Sequence, residues 1–232
     1  MAGKYWAIVP AAGQGSRFGD PLPKQYHEVL GKTVLEHTLS KLDKSGHFEK
    51  IAVAIAPGDK HWEKLKSTYK TPVVAYHGGE ERIHSVYKAA VEIEPELDEE
   101  DWILVHDGAR PCVDLDDIRR LIIAVSGHAC GGILGTPVSD TLKRVDATQQ
   151  ISETMRREVY WKAFTPQLFL GKLLIDALEA RANDFPIKVF DEAGAMEMLG
   201  HRPLMVEGQS NNIKITNASD LMLAASILEK QL

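Results

Sequence analysis

Cysteine is scarce in this 232-residue chain: there are two, Cys112 and Cys130, far apart in sequence. Two distant thiols exclude a disulfide framework and a C-x-x-C motif, and they fit core thiols in a reduced cytoplasm. No apolar run is long enough to span a bilayer, and Met1-Ala-Gly-Lys-Tyr-Trp6 leads straight into a strand pattern without the layout of a signal peptide. Positive charge is not in excess, with 27 Lys and Arg against 33 Asp and Glu and a net charge of −6. That balance argues against a nucleic-acid face, but not against a nucleotide pocket, where a few local cations suffice. The nine histidines include no pair at zinc spacing, G-x-S-x-G does not occur, and there is no internal repeat or low-complexity segment.

Two nucleotide motifs also fail. Gly13-x-Gly15 begins like a dinucleotide fingerprint, but the third glycine is Gly19, one position late, and no acidic residue closes the next strand, Ile55-Ala56-Pro57. Gly31-Lys32-Thr33 mimics the tail of a P-loop, but Tyr26 stands where its first glycine is required.

What the chain does have is alternation. Apolar runs predict strands at Trp6–Pro10, Ile51–Ala56, Val73–Tyr76, Trp102–His106, Gly132–Val138, Leu204–Glu207 and Asn212–Ile215. Helical patterns fall between and after them, at Val34–Leu42, Lys60–Thr68, Ser85–Glu94, Leu115–Val125, Lys172–Ala182, Ala193–Leu199 and Ala218–Glu229, with Thr33 and Asp59 as N-caps. This order predicts an α/β fold with a largely parallel sheet. It breaks once, over residues 139–161, which are polar and charged. Thr141–Val145 and Gln150–Thr154 can pair as a hairpin about Asp146-Ala147-Thr148. Such a ribbon has no core of its own, so it either leans on a second copy of the chain or is a solvated loop.

In open α/β sheets ligands sit beyond the carboxyl ends of the strands. There the sequence places Gly13, Gly15, Arg17, Gly19 and Lys24, then His77–Ser85, His106-Asp107-Gly108-Ala109-Arg110-Pro111, Ser139-Asp140-Thr141 and Asn212-Ile213-Lys214. Each has an ordinary explanation: Gly78-Gly79 as a turn, Asp107 and Arg110 as a local ion pair, Lys214 as an edge lysine. Their convergence on one edge of the sheet favours a shared pocket. Glycines let backbone N–H groups approach a phosphate, and Arg17 and Lys24 add cations, which makes a grip for a triphosphate and for the charge that builds up as it is attacked.

With these pieces assembled, the chain resembles the 2-C-methyl-D-erythritol 4-phosphate cytidylyltransferases over nearly its whole length. The matching segments are Ala11-Ala12-Gly13-x-Gly15-x-Arg17, Pro23-Lys24-Gln25, Leu35-Glu36-His37, Gly78-Gly79-x-x-Arg82-x-x-Ser85-Val86, Val105-His106-Asp107-x-Ala109-Arg110-Pro111, Pro137-Val138-x-Asp140-Thr141-x-Lys143, Thr165-Pro166-Gln167, Asp191-Glu192-Ala193 and Asn212-Ile213-Lys214-Ile215-Thr216. Their order and spacing together are specific.

The resemblance implies a Rossmann-like nucleotidyltransferase fold over residues 1–232: a mostly parallel mixed sheet flanked by helices, with residues 139–161 as a protruding β-arm that makes a homodimer. It implies CTP and a polyol phosphate as ligands, with magnesium on the CTP phosphates, in a cytoplasmic enzyme of isoprenoid-precursor synthesis. Arg17, Lys24 and Lys214 would be catalytic. Ala11, Ala12, Gly13, Gly15, Gly79, Glu80 and Ser85 would bind the nucleotide. Asp107, Arg110, Thr141, Arg157 and Thr165 would bind the sugar phosphate, Arg157 and Thr165 by reaching into the partner subunit's site. A ribitol-5-phosphate cytidylyltransferase is the alternative substrate class, a sugar-1-phosphate nucleotidyltransferase a further one, and a nucleotide-binding protein without catalysis the alternative of another kind.

Overall fold

The computed structural model describes residues 3–13, 18–183 and 191–231. In chain order, β1 (Tyr5–Pro10) leads through a small β2–β3 ribbon (Glu28–Val29, Lys32–Thr33) to α1 (Val34–Ser45) and β4 (Phe48–Ile55). Next come β5 (Val73–His77), α2 (Arg82–Ile93), β6 (Trp102–Val105), α3 (Leu115–Val125) and β7 (Gly131–Pro137). The arm holds β8 (Lys143–Val145) and β9 (Ile151–Thr154). The chain then returns as β10 (Trp161–Leu170), α4 (Gly171–Asn183), α5 (Glu192–Met198), β11 (Leu204–Glu207) and α6 (Ser219–Glu229).

Seven strands form one sheet in the order β11-β7-β10-β6-β1-β4-β5. All neighbours run parallel except β10, which is antiparallel to both β6 and β7. The central strands read as near-continuous apolar runs because both faces of the sheet are covered. Trp6, Ile8, Ile103 and Val105 face one core with residues of α2, α4 and α5. Ala7, Val9, Trp102 and Leu104 face the other, with residues of α1 and α3. The chain moves outward from β1 to β4 and β5, then crosses back to β6 on the other side of β1. This reversal opens a crevice at the carboxyl ends of β1 and β6, the usual ligand position in such sheets.

Several expected elements appear with shifts of a residue or more. Thr33 makes a complete capping box with Glu36 at the start of α1, and Gly46, at φ +68°, closes its end in the left-handed conformation. Three expectations fail for identifiable reasons. The helix expected at Lys60–Thr68 is only a short 3₁₀ turn, Trp62–Lys64. The amides of Lys66 and Ser67 donate to the Glu36 carboxylate at 3.0 and 2.9 Å, and those of Lys70 and Thr71 donate to Asp43. The Glu36 carboxylate of α1 thus takes two amides that helical bonding would have used, and Asp43 pins the chain just beyond them. The expected strand Asn212–Ile215 joins no ladder; Ile215 donates to the Ala109 carbonyl at 2.8 Å, tying the segment to the loop after β6. Conversely, β10 carries Thr165-Pro166 in mid-strand, a pair that argues against a strand in sequence. Its pairing with β7 skips from Phe164 to Gln167, so the ladder never calls on the nitrogen that Pro166 cannot offer.

The hairpin expected in the polar segment is present. Lys143 pairs with Thr154, and Arg144 with Glu153 across a 2.9 Å salt bridge. Asp146 folds the turn by accepting from the Thr148 and Gln150 amides. Every residue of β8 and β9 is exposed.

Glu36 is 5% exposed and accepts from the Thr33, Lys66 and Ser67 amides. Burial opposes its ionisation, but these donors outweigh burial and hold its pKa at about 2. Because the folded value lies below the unfolded one, this stabilisation is complete above pH 4.5 and fades as the pH falls toward 2. Glu36→Gln is expected to cost about 2 kcal/mol in urea unfolding at pH 7, the worth of one to two charge-assisted bonds. The gap to wild type should narrow toward pH 3; a gap independent of pH would contradict the assignment.

Candidate active site

The loop after β1 is braced from below. Gln25, buried in a 3₁₀ turn, donates its side-chain amide to the carbonyls of Ala11 and Gly13 at 2.6 and 3.2 Å. Ala11 itself donates to Ala54 at 2.7 Å. These bonds hold two carbonyls down along the entry to the glycine-rich loop. Gly15 and Arg17 lie outside the described residues.

The loop after β5 presses against this one. A Cβ on Gly78 would fall 2.6 Å from the Ala12 Cβ and 2.9 Å from the Ser85 Oγ. Only a glycine permits that approach. Ser85, in the first turn of α2, accepts from the Gly79 amide at 3.0 Å and donates to the Glu81 carbonyl. Ala12, Gly79 and Ser85, expected to bind nucleotide, are therefore brought together, with Ser85 fixing the loop's shape; Glu80 lies exposed beside them.

Beyond β6 lies the electrostatic centre. Asp107 has a side chain 8% exposed, and three cations converge on it. Arg82 Nε donates to Oδ1 at 2.6 Å, while Lys214 Nζ at 2.9 Å and Arg110 Nε at 3.3 Å reach Oδ2. Burial opposes its negative charge, but Arg82, Lys214 and Arg110 outweigh it and hold the carboxyl well below the usual range. Arg82 also forks onto Glu192, at 2.6 and 3.0 Å. Three cations against two carboxylates leave one net positive charge at the mouth of the crevice.

The neutral partners are equally ordered. Thr165 accepts from the Asp107 amide at 3.0 Å, and its hydroxyl lies 3.1 Å from His106 Nδ1. His106 Nε2 lies 3.0 Å from the Arg110 carbonyl, which can only accept. The ring therefore carries its proton on Nε2, and Thr165 donates to Nδ1. Arg110 further donates to the Asn212 carbonyl at 2.7 Å, and the Asn212 amide group to the Thr165 carbonyl at 2.8 Å. These bonds dock the Asn212–Thr216 segment and carry Lys214 to Asp107. Lys24 lies near the far end of that segment, where it helps to hold the Asp220 carboxyl low, after the Thr216 and Asn217 bonds that matter more there. Phe18 packs into the same small cluster as Ile213 and Ile215, so the end of the glycine-rich loop meets this segment too.

The structure thus joins Asp107, Arg110, Thr165 and Lys214 in one cluster. Thr165 makes its observed bonds within this cluster. It is 4% exposed and bound within its own chain, because this half of β10 lies inside the sheet between β6 and β7. Thr141 and Arg157 lie exposed at the root of the arm, where Arg157 donates to the Ser139 carbonyl. Sequence reasoning passed over two charged members, Arg82 and Glu192. Both fell inside matching segments; the signal available was a cation at the start of one helix and an adjacent acidic pair, Asp191-Glu192, at the start of another.

A mixed α/β sheet with a glycine-rich loop at its switch point and a cationic cluster beside it defines a nucleotidyltransferase-type site. The profile of the 2-C-methyl-D-erythritol 4-phosphate cytidylyltransferase family matches residues 5–230. The chain belongs to that family. It is 43% identical over 227 residues to the 2-C-methyl-D-erythritol 4-phosphate cytidylyltransferase of Hahella chejuensis, covering 98% of this chain and 94% of the relative. With that of Vibrio parahaemolyticus it shares 45% identity over 225 residues, 97% of this chain and 95% of the relative. The crystal structure of the Francisella tularensis enzyme of the same name superposes with a TM-score of 0.82 at 38% identity, over 97% of this chain and 99% of that one. That of a 4-diphosphocytidyl-2C-methyl-D-erythritol synthase gives 0.84 at 36% identity, over 98% and 100%.

Burial pushes the His106 pKa down to about 4, from an unperturbed 6.5. Between those values the unfolded chain takes up a proton that the folded chain refuses, so stability falls as pH drops through this window and is unaffected by His106 above it. At pH 4.5 the loss attributable to His106 is expected to be about 2–3 kcal/mol relative to pH 7.5. Urea titrations of wild type and His106→Asn at both pH values measure it; equal slopes in the two proteins would show that the ring is not held neutral.

Proposed function

We propose that this protein transfers CMP from CTP to 2-C-methyl-D-erythritol 4-phosphate, releasing pyrophosphate and 4-diphosphocytidyl-2-C-methyl-D-erythritol, a step of isoprenoid-precursor synthesis in the cytoplasm. The observation that carries this is the net positive cluster on Asp107, set beside the loop that joins Ala12, Gly79 and Ser85. Full-length similarity to enzymes of that name supports the substrate pair.

The nucleophile is an oxygen of a phosphate monoester, whose second pKa is about 6, so it is already mostly dianionic at neutral pH. No general base is needed. His106, next to Asp107 in the chain, is neutral with both nitrogens engaged, in keeping with a reaction that takes no proton from its nucleophile. The barrier is the repulsion between two anions and the charge that builds on the α-phosphorus as a fifth oxygen joins it. Arg17 and Lys24 would hold the triphosphate through this change. Lys214 and Arg110, steered by Asp107, would draw in the sugar phosphate and fix its attacking oxygen.

Among the described residues no group of three His, Cys, Asp or Glu side chains could hold a metal ion, and Asp107 and Glu192 are committed to cations. Magnesium would sit on the phosphate oxygens of CTP itself, where it would neutralise part of the triphosphate charge.

We further propose that residues 139–161 form the homodimer contact of a single cytidylyltransferase domain and bring Arg157 to the partner's site. Val145, Ile151 and Val159 stand 52, 65 and 73% exposed there, on a ribbon with no core beneath it. Light scattering at micromolar concentration should return the mass of a dimer. A strict monomer would remove Arg157 from the site.

Lys24→Ala should leave the fold intact and lower turnover about a hundredfold, about 3 kcal/mol of transition-state stabilisation. Pyrophosphate release measures it, with the polyol phosphate withheld, supplied, or replaced by ribitol 5-phosphate. A variant retaining more than about a third of wild-type activity would exclude Lys24 from the reaction, and equal rates with ribitol 5-phosphate would overturn the substrate assignment.

A further inference from the structure

The Arg82–Glu192 pair holds the other oxygen of the group on which Lys214 and Arg110 depend. Asp107 Oδ2 receives Lys214 and Arg110, whereas the cation on Oδ1 is Arg82. A carboxylate turns easily about its last torsion, so a partner on Oδ1 is what fixes the direction of Oδ2. Arg82 is fixed in turn. Its planar guanidinium spends Nε on Asp107 and the fork of its two terminal nitrogens on Glu192.

Glu192 has no exposed surface. It is the first residue of α5, whose N-cap, Asp191, accepts from the Gly194 amide at 2.9 Å. Gln167 of β10 clamps that turn from both sides, donating to Asp191 and accepting from the Ala193 amide, each at 2.9 Å. A chain of rigid bonds thus runs from the sheet through α5 and the first turn of α2 to the carboxylate after β6. A buried ion pair is a poor way to gain stability, since an apolar pair of similar volume is often as good; its specific use is to fix orientation.

We infer that Arg82 and Glu192 are positioning residues of the transfer reaction: Glu192 sets the plane of Arg82, Arg82 sets Asp107, and Asp107 aims Lys214 at the incoming phosphate. This rests on the reaction proposed above for the same site. It differs from a structural role in what it predicts: kcat and the KM for the sugar phosphate depend on the pair, and the KM for CTP does not.

Two variants and two readouts test it. Arg82→Lys keeps the charge, but one ammonium cannot span Asp107 and Glu192 in these directions. The double variant Arg82→Met with Glu192→Gln removes both charges together, so no bare buried charge is left to unfold the protein. In each we expect kcat to fall at least tenfold, with the KM for CTP within twofold of wild type. The second readout needs no turnover: mass spectrometry should find Lys214 acylated by an amine-reactive ester at least threefold faster than in wild type, because its hold on Asp107 is loosened. If wild type makes no cytidylyl product while Lys214 reactivity still rises in the variants, the proposed reaction fails and the positioning role stands. If either variant, folded by circular dichroism, keeps kcat within threefold and Lys214 at its wild-type reactivity, the pair is merely structural and the inference falls. A loss confined to the KM for CTP overturns it equally. Should the double variant not fold, Arg82→Lys decides.

Discussion

One buried carboxylate organises this protein's chemistry. Asp107 is ionised because Arg82, Lys214 and Arg110 surround it, and those cations are placed because Asp107 is ionised. Asp107, with its side chain 8% exposed, would be costly to ionise alone where it sits. An unpaired charge removed from water is costly, and removing one partner from such a cluster leaves the others exposed to that cost. The site is therefore closer to a single charged object, with one residual positive charge, than to a set of independent side chains. Measured effects of single substitutions within it will not add.

Fold and site meet at the reversal of strand order around β1. The two loops that leave β1 and β6 are adjacent because their strands are paired. The loop from β5 joins them by a glycine contact against Ala12 that a side chain would forbid. The sheet supplies a rigid edge, and short bonds from Gln25, Ser85 and Thr165 transmit that rigidity to the loop backbones. Catalytic groups need such support, because small displacements of a cation relative to a phosphorus atom weaken its effect.

Much of this was legible in the chain. Central strands declared themselves as apolar runs, α1 by its capping residues, and the pocket by polar residues at successive strand exits. What escaped did so where long-range contacts overrule local preference. Residues 60–68 have a helical pattern, but the Glu36 carboxylate captures two of their amides. Residues 161–170 carry Thr165-Pro166, a pair disfavoured in an inner strand, yet the sheet accepts them by skipping that pair in its ladder. Arg82 and Glu192 were visible as letters within matched segments, but nothing local reveals that they meet. Their separation of 110 positions is closed only in the folded chain, where α5 packs on α4 and α4 on α2. Thr165 is legible as a matched residue, but its burial inside the sheet follows only from β10 lying between β6 and β7.

The order in which the pieces occur along the polypeptide has a consequence for biosynthesis. The glycine-rich loop emerges first from the ribosome, Arg82 and Asp107 near the middle, Glu192 and Lys214 only late. A nascent chain can pair β1 with β4 and β6 long before the last cation arrives. Until then Asp107 lacks the Lys214 ammonium, so on the reaction proposed above a partly translated molecule would have no charge at that position until its final segment docks.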